Sequence, residues 1–294
     1  MKIALVTPWE NAWIPHYRAE IERRGHDFIL TKWAAPSDSD IVIHGWADGS
    51  PSVAGAKNIV FLRRYELFAG LLSKIDWSKT HALICVNSWI KTFAEQILAG
   101  NGIKVPTYLV LNSVDESKWT FKERTLGNKV GMACFIHSKK NLPLALQILA
   151  ALPEGYELHI AGEVQDVSVA EYLNYSASAL GKVLHIYGQV ASNGMDSWWD
   201  GMDYCLSTSI TEGNPNNVNE AMFKGIKPVI HNWPGAQDQY PLTFNSVQEA
   251  VGQITSTEYD SNAYREWGRK HFSLANIERV IDLAESLCEE REAA

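Results

Sequence analysis

Ser209-Ile210-Thr211-Glu212-Gly213-Asn214-Pro215-Asn216-Asn217-Val218-Asn219-Glu220-Ala221-Met222 puts one carboxylate on a loop and, with seven residues between, a second in the first turn of an expected helix. Asn216 or Asn217 can cap that helix. A capped start leaves backbone N–H groups free, and the macrodipole there favours an anion. An anion-binding helix end flanked by two carboxylates that accept hydroxyl hydrogen bonds suits a phosphorylated sugar. A plainer reading competes with this one: Glu220 complements the helix dipole and Glu212 is a solvated loop residue.

Around this stretch, apolar runs that end in polar loops alternate with segments of helical periodicity, the pattern of parallel α/β layers. Strands are expected at 2–7, 28–31, 41–44, 58–62, 82–87 and 108–111, with helices at 14–24, stopped by Gly25, and at 88–98. A polar stretch with Trp119 and Phe121 as anchors follows. A second unit then opens, with strands at 130–136, 157–161, 183–187, 204–207 and 228–231 and helices at 142–151 and 218–224. The last segment, 274–294, is amphipathic through 292, with Ile277, Val280, Ile281, Ala284 and Leu287 on one face. A chain of 294 residues, 46% hydrophobic, can bury two cores of about 100 to 160 residues each.

Glu212-Gly213-Asn214-Pro215, then Asn219-Glu220-Ala221-Met222, then Gly225-Ile226-Lys227-Pro228-Val229-Ile230, resembles the Glu-x7-Glu segment of the retaining GT-B glycosyltransferases often called family 4. Further matches fall in the order that family demands. They are Arg24-Gly25-His26-Asp27 before an early strand, Asn112-Ser113-Val114-Asp115 near the domain junction, and Lys139-Lys140-Asn141-Leu142-Pro143-Leu144 opening a helix. The resemblance implies an α/β GT-B fold, with two Rossmann-like domains facing an interdomain cleft. The expected organisation is an N-terminal acceptor-side domain at 1–112, a linker at 113–125, a nucleotide-sugar-binding domain at 126–273, and a terminal helix at 274–294 crossing back to the first domain.

The resemblance also assigns roles. Glu220 would accept hydrogen bonds from the donor's ribose. Glu212, with the backbone of Gly213, Asn214, Pro215 and Asn216, would contact hydroxyls of the transferred sugar. The amides of Asn217, Val218 and Asn219 would meet the distal phosphate, with Lys140 adding a point charge and Lys139 a lesser candidate. A lysine near a helix start opposes the dipole, which favours a functional reading of Lys140 over a solvated one. His44, at the end of the strand Ile41-Val42-Ile43, resembles the family's histidine over the donor sugar; a core or turn histidine is the competing reading.

Arg63, Arg64, Tyr65 and Glu66 follow the next strand and either bind acceptor or form surface pairs. Trp9, Trp13 and Trp46 are acceptor candidates whose indole faces could stack on a sugar, although large aromatics usually pack. Where the family often carries a Gly-rich turn, this chain has Pro8-Trp9-Glu10-Asn11-Ala12. Where the family often carries an Arg before the Lys, it has Ala133-Cys134-Phe135-Ile136-His137-Ser138. Either His137 partly substitutes or the leaving group is less stabilised.

The implied reaction moves a sugar from a nucleotide-diphosphate sugar, a substrate rather than a cofactor, to an acceptor hydroxyl of a glycan, a lipid-linked compound or a small molecule, with retention and no metal. Alternatives are a GT-B nucleotide-sugar epimerase and a catalytically weak nucleotide-sugar-binding module. The net charge of −8 argues against a nucleic-acid footprint. Cys85, Cys134, Cys205 and Cys288 show no metal-ligand spacing and read as reduced packing residues. Asp38-Ser39-Asp40 reads as a turn rather than a metal-holding triplet. Dinucleotide, P-loop and nucleophile-elbow signatures are missing from the sequence. No run reaches the ~20 apolar residues of a membrane span, and Met1 to Val6 runs directly into polar sequence, unlike a secretory leader. A cytoplasmic protein is expected.

Overall fold

The computed structural model describes residues 1–292. In chain order its elements are β1 (Lys2–Val6), α1 (Ile14–Arg23), β2 (Asp27–Thr31), β3 (Ile41–His44), β4 (Lys57–Leu62), α2 (Tyr65–Phe68), β5 (Thr80–Cys85), α3 (Ser88–Gly100) and β6 (Thr107–Leu109). They continue with β7 (Lys129–Ala133), α4 (Leu142–Ala151), β8 (Glu157–Ala161), α5 (Val167–Ala179), β9 (Val183–Ile186), α6 (Met195–Asp200) and β10 (Tyr204–Ser207). The remainder are α7 (Asn216–Phe223), β11 (Lys227–His231), β12 (Thr243–Phe244), α8 (Val247–Thr255), α9 (Ser261–Phe272) and α10 (Ala275–Glu292). The last two residues of the helix expected at 274–294 lie outside the described residues.

The chain divides into two compact units, Met1–Val114 with the residues from Leu274 onward, and Asp115–Ser273. Each unit is built on one six-stranded sheet, in the order β2-β1-β3-β4-β5-β6 in the first and β12-β11-β10-β7-β8-β9 in the second. Every strand pair is parallel. Parallel strands covered on both faces read as continuous apolar runs, and β3 is buried at all four positions for that reason.

In the first unit, Ile3, Leu5, Ile41, Ile43, Ile59 and Phe61 form the apolar face under α1 and α10. α10 contributes Ile277, Val280, Ile281, Ala284 and Leu287 to that cluster, which is the stripe legible in the sequence. Ion pairs from Arg24 to Asp282 at 2.6 Å and Glu285 at 2.7 Å fix its azimuth against α1. β5 starts at Thr80 and stops at Cys85, earlier than the sequence suggests. Asn87 leaves the strand to cap α3, its side chain accepting from the Trp89 and Ile90 amides at 2.8 and 3.3 Å.

The second unit keeps its core between the sheet and α4, α5 and α8, with Met132, Leu146, Leu158, Leu173, Leu206 and Val229 among its members. The segment expected as a linker is packed onto this unit. Phe121 lies under the Arg265 guanidinium, 4.6 Å from carbon to ring centroid, and Arg124 donates to the Met202 carbonyl at 2.7 Å. α7 ends in a Schellman motif: Gly225, at φ 76°, donates to the Met222 carbonyl at 2.9 Å and Ile226 to that of Ala221 at 3.0 Å. A Cβ on Gly225 would also stand 2.8 Å from the Phe121 ring. Asp38-Ser39-Asp40 forms the expected turn, with Asp40 accepting from the Lys2 amide at 2.7 Å. All four cysteines are free.

Candidate functional site

In each sheet the chain reverses its direction of travel at one place, where the connections of neighbouring strands part and open a crevice beyond the strand ends. In the second unit that place lies between β7 and β10. The loop after β7 carries His137, Lys139 and Lys140. The loop after β10 carries Ser209, Glu212 and Asn214 and runs into α7.

These two loops are joined at Glu212. Its side chain accepts from the Lys140 ammonium at 2.6 Å, the Lys139 ammonium at 3.0 Å and the Ser209 hydroxyl at 2.9 Å. Glu212 is only 8% exposed, so it is not a solvated loop residue. Burial, the largest influence, raises its pKa, but the ammonium groups of Lys140 and Lys139 outweigh it together and hold the carboxyl below the usual range. Two cations around one carboxylate leave one net positive charge at the crevice.

The lysines are aimed by their backbone. His137 caps a short 3-10 turn, its Nδ1 accepting from the Lys139 amide at 3.2 Å. Asn141 closes that turn at φ 49°, a left-handed conformation that asparagine tolerates better than most residues. The Thr208 hydroxyl donates to the Lys140 carbonyl at 2.7 Å, and the Ile210 amide to that of Lys139 at 3.1 Å.

The start of α7 departs from the sequence reading. Pro215 is the N-cap, no side chain caps the helix, and the first turn holds no acid. Glu220 therefore stands in the second turn rather than the first. The amides of Val218 and Asn219, expected at a phosphate, donate instead to the Pro215 carbonyl at 3.2 and 3.4 Å. Those of Asn216 and Asn217 find no acceptor among the described residues, so they are the donors this helix end presents. Glu220, one turn beyond Asn216 on the same face, leans back towards them because helical side chains tilt towards the N-terminus. Among the described residues no charged group offsets its burial, which pushes its carboxyl up to about 7.

Asn214, expected to contact the sugar through its backbone, turns its side chain into the protein rather than into the crevice. It is 5% exposed and donates to the Gln239 side-chain oxygen, while the Asn219 amide donates to Asn214 Oδ1 at 3.0 Å and the Tyr240 hydroxyl to Asn219 Oδ1 at 2.9 Å. Gln239 in turn donates to the Gly213 carbonyl at 3.0 Å. This buried bracket sets the path of Gly213–Pro215. Gln239 and Tyr240 were not singled out from the sequence, because they follow β11 in an irregular segment with no motif to mark them.

In the first unit the chain reverses between β1 and β3, and the loops that follow those strands bring Trp9 and Trp46 edge-to-face at 4.9 Å. Tyr65 completes the group, 5.8 Å from Trp46. Trp9, 48% exposed, offers the open ring. The other candidates are spent on structure. Arg63 donates to the Gly45 carbonyl at 2.9 Å and the Asn112 side chain at 2.8 Å, and lies over Trp13 and Trp46. Trp13 packs edge-on against Tyr17.

Glu66 is fully buried and accepts from the amides of Ala47, Arg63 and Arg64, so it staples the loops that follow β3 and β4. His44 is 2% exposed, its ring 3.4 Å from the Asn58 side-chain oxygen, and burial lowers its pKa. It is a neutral core histidine, not a surface group.

No protein-family model matches the sequence, and no curated protein matches it. Solved structures do match its fold over nearly the whole chain. HepE from Anabaena, in complex with UDP and glucose, superposes with a TM-score of 0.75 over 97% of this chain and 99% of its own, at 12% identity. Sucrose-phosphate synthase from Thermosynechococcus elongatus gives 0.75 over 98% and 99%, at 10% identity. The lipopolysaccharide outer core galactosyltransferase WaaB, in apo form, gives 0.69 over 97% and 99%, at 16% identity. The chain has the two-domain Rossmann-like GT-B fold of these glycosyltransferases. Among the described residues no helix is long and apolar enough to cross a membrane.

Proposed function

We propose that this protein is a retaining glycosyltransferase that moves a sugar from a nucleotide-diphosphate sugar to an acceptor hydroxyl, with no metal in the transfer step. The observation that carries the reading is the second unit's crevice. There Lys139 and Lys140 converge on buried Glu212, beside a helix start whose Asn216 and Asn217 amides are free. A diphosphate anion meets both a net positive charge and two aligned N–H donors there. Glu220, one turn on, accepts from ribose hydroxyls, and Glu212 positions hydroxyls of the transferred sugar.

In the step itself, the bond from the anomeric carbon to the phosphate oxygen breaks and the bond from that carbon to the acceptor oxygen forms on the same face. The acceptor's proton passes to the departing phosphate. Negative charge grows on that phosphate, where Lys140 and the Asn216 and Asn217 amides stabilise it most in the transition state. Trp9, Trp46 and Tyr65 form the acceptor-side platform, on which a sugar ring can stack.

The HepE complex with UDP and glucose supports a uridine nucleotide as the first donor to try. A thermal-shift panel of UDP, GDP, ADP and TDP sugars tests the reading, because a ligand at ~100 times its dissociation constant stabilises by about 2.7 kcal/mol. One donor class should raise the melting temperature, and its turnover with acceptor should persist in EDTA. No shift with any nucleotide sugar would refute the proposal.

A further inference from the structure

Outside the crevice, β8 and β9 bring three metal-ligating side chains together on one face of the second sheet. Glu157 and His159 alternate along β8, and His185 is the register partner of His159 on the neighbouring strand. Period-two alternation puts all three on the same side, opposite the Leu158 and Ile160 core face. Glu157 Oε2 is 3.0 Å from His159 Nε2 and 3.8 Å from His185 Nε2, and the three ligand atoms lie within 4.8 Å of one another. A tetrahedral ion with bonds of about 2.0–2.1 Å has ligand-to-ligand edges of about 3.4 Å. The observed separations bracket that edge.

We propose that Glu157, His159 and His185 form a binding site for a divalent transition-metal ion, zinc by ligand type, with a fourth position open to solvent. The surroundings suit it. His159 is buried, and its other ring nitrogen, Nδ1, is 2.8 Å from the Tyr187 hydroxyl. A ring nitrogen held this way fixes the imidazole and turns Nε2 towards the ion, the usual outer-shell device of a ligating histidine.

The exposed Lys129, register neighbour of Glu157, is a nearby cation that opposes the ion. His185 is half exposed, which gives the ion a way in. Because β9 is the outer strand of the sheet, held by its ladder to β8 and by Leu184 and Ile186 against the core, an ion between β8 and β9 adds a further cross-link at that edge. A sequence scan for short ligand spacings misses this set, since His159 and His185 meet only through strand pairing.

Zinc titration of the intact, EDTA-stripped chain by calorimetry tests the site, with cobalt as a spectroscopic stand-in. One equivalent should bind, raise the melting temperature and give the visible bands of four-coordinate cobalt. Tyr187→Phe should weaken the affinity about tenfold or more, the usual effect of losing an outer-shell partner. His185→Gln, at a half-exposed position that leaves the core intact, should remove the binding and the thermal shift together. The proposal fails if the parent chain binds no zinc, or if His185→Gln and the parent bind it with equal affinity.

Discussion

Replacing Glu220 by glutamine separates what this carboxyl does for the fold from what it does for the donor, because the two effects have opposite signs. Burial raises its pKa from an unperturbed 4.5 to about 7. The folded chain thus holds a proton that the unfolded chain releases at lower pH. Stability from this proton is fully present below pH 4.5, falls as the pH rises towards 7, and is gone above it. At ~1.4 kcal/mol per unit the shift corresponds to roughly 3 kcal/mol, an upper bound because water reaches the half-buried group. Glu220→Gln, which cannot ionise, should therefore be more stable than the parent at pH 8, with the difference vanishing near pH 5.

The same change should weaken donor binding at pH 8 by about 1.5–3 kcal/mol, the range for hydrogen bonds to a charged group. Parent affinity for a nucleotide sugar, whose esterified diphosphate does not titrate in this range, should rise between pH 6 and 8, and the variant's should stay flat. Denaturant melts and calorimetry at several pH values read both effects. A variant less stable than the parent at pH 8, or one that binds nucleotide sugar as tightly, would refute the reasoning.

Lys140→Ala should lower turnover at saturating donor tenfold or more, about 1.4 kcal/mol of barrier, while binding of the bare nucleoside is unchanged; steady-state rates and nucleoside titration check this pair. Tyr240→Phe deletes the hydroxyl that donates to Asn219 Oδ1, and leaving that buried oxygen without its donor should cost about 1–3 kcal/mol in denaturant melts. Because Asn219 and Asn214 hold the Gly213–Pro215 path, the same variant should also bind donor less tightly.

The layered α/β pattern was legible because central parallel strands are apolar on both faces: Ile41–His44 and Tyr204–Ser207 stand where the sequence puts them. α5 and α9 escaped notice. α9 holds few apolar residues and α5 has no clean apolar stripe, and what fixes their starts are Asp166 and Asp260 caps that look like loop residues until a helix follows. In the crevice the acid pair could be read from its spacing, and Lys140 only from the resemblance to the glycosyltransferase family. The pairing of Lys139 and Lys140 with Glu212 could not, since it depends on two loops that meet only where the sheet reverses. The cap at Pro215 was misread for a related reason. Asparagine is the better intrinsic cap, but the Gln239–Asn214–Asn219–Tyr240 bracket sets where the backbone turns. His44 and Glu66 look like polar groups at strand ends, and only burial shows that they serve the core.

The stereochemistry of a single turnover tests the central claim most directly. With the donor identified by thermal shift and a simple acceptor supplied, NMR of the fresh product reads the anomeric centre before it can equilibrate. Retention of the donor's configuration, together with release of one nucleoside diphosphate per glycoside formed, is the predicted result. An inverted anomeric centre, or conversion of the donor with no acceptor consumed, would contradict the account.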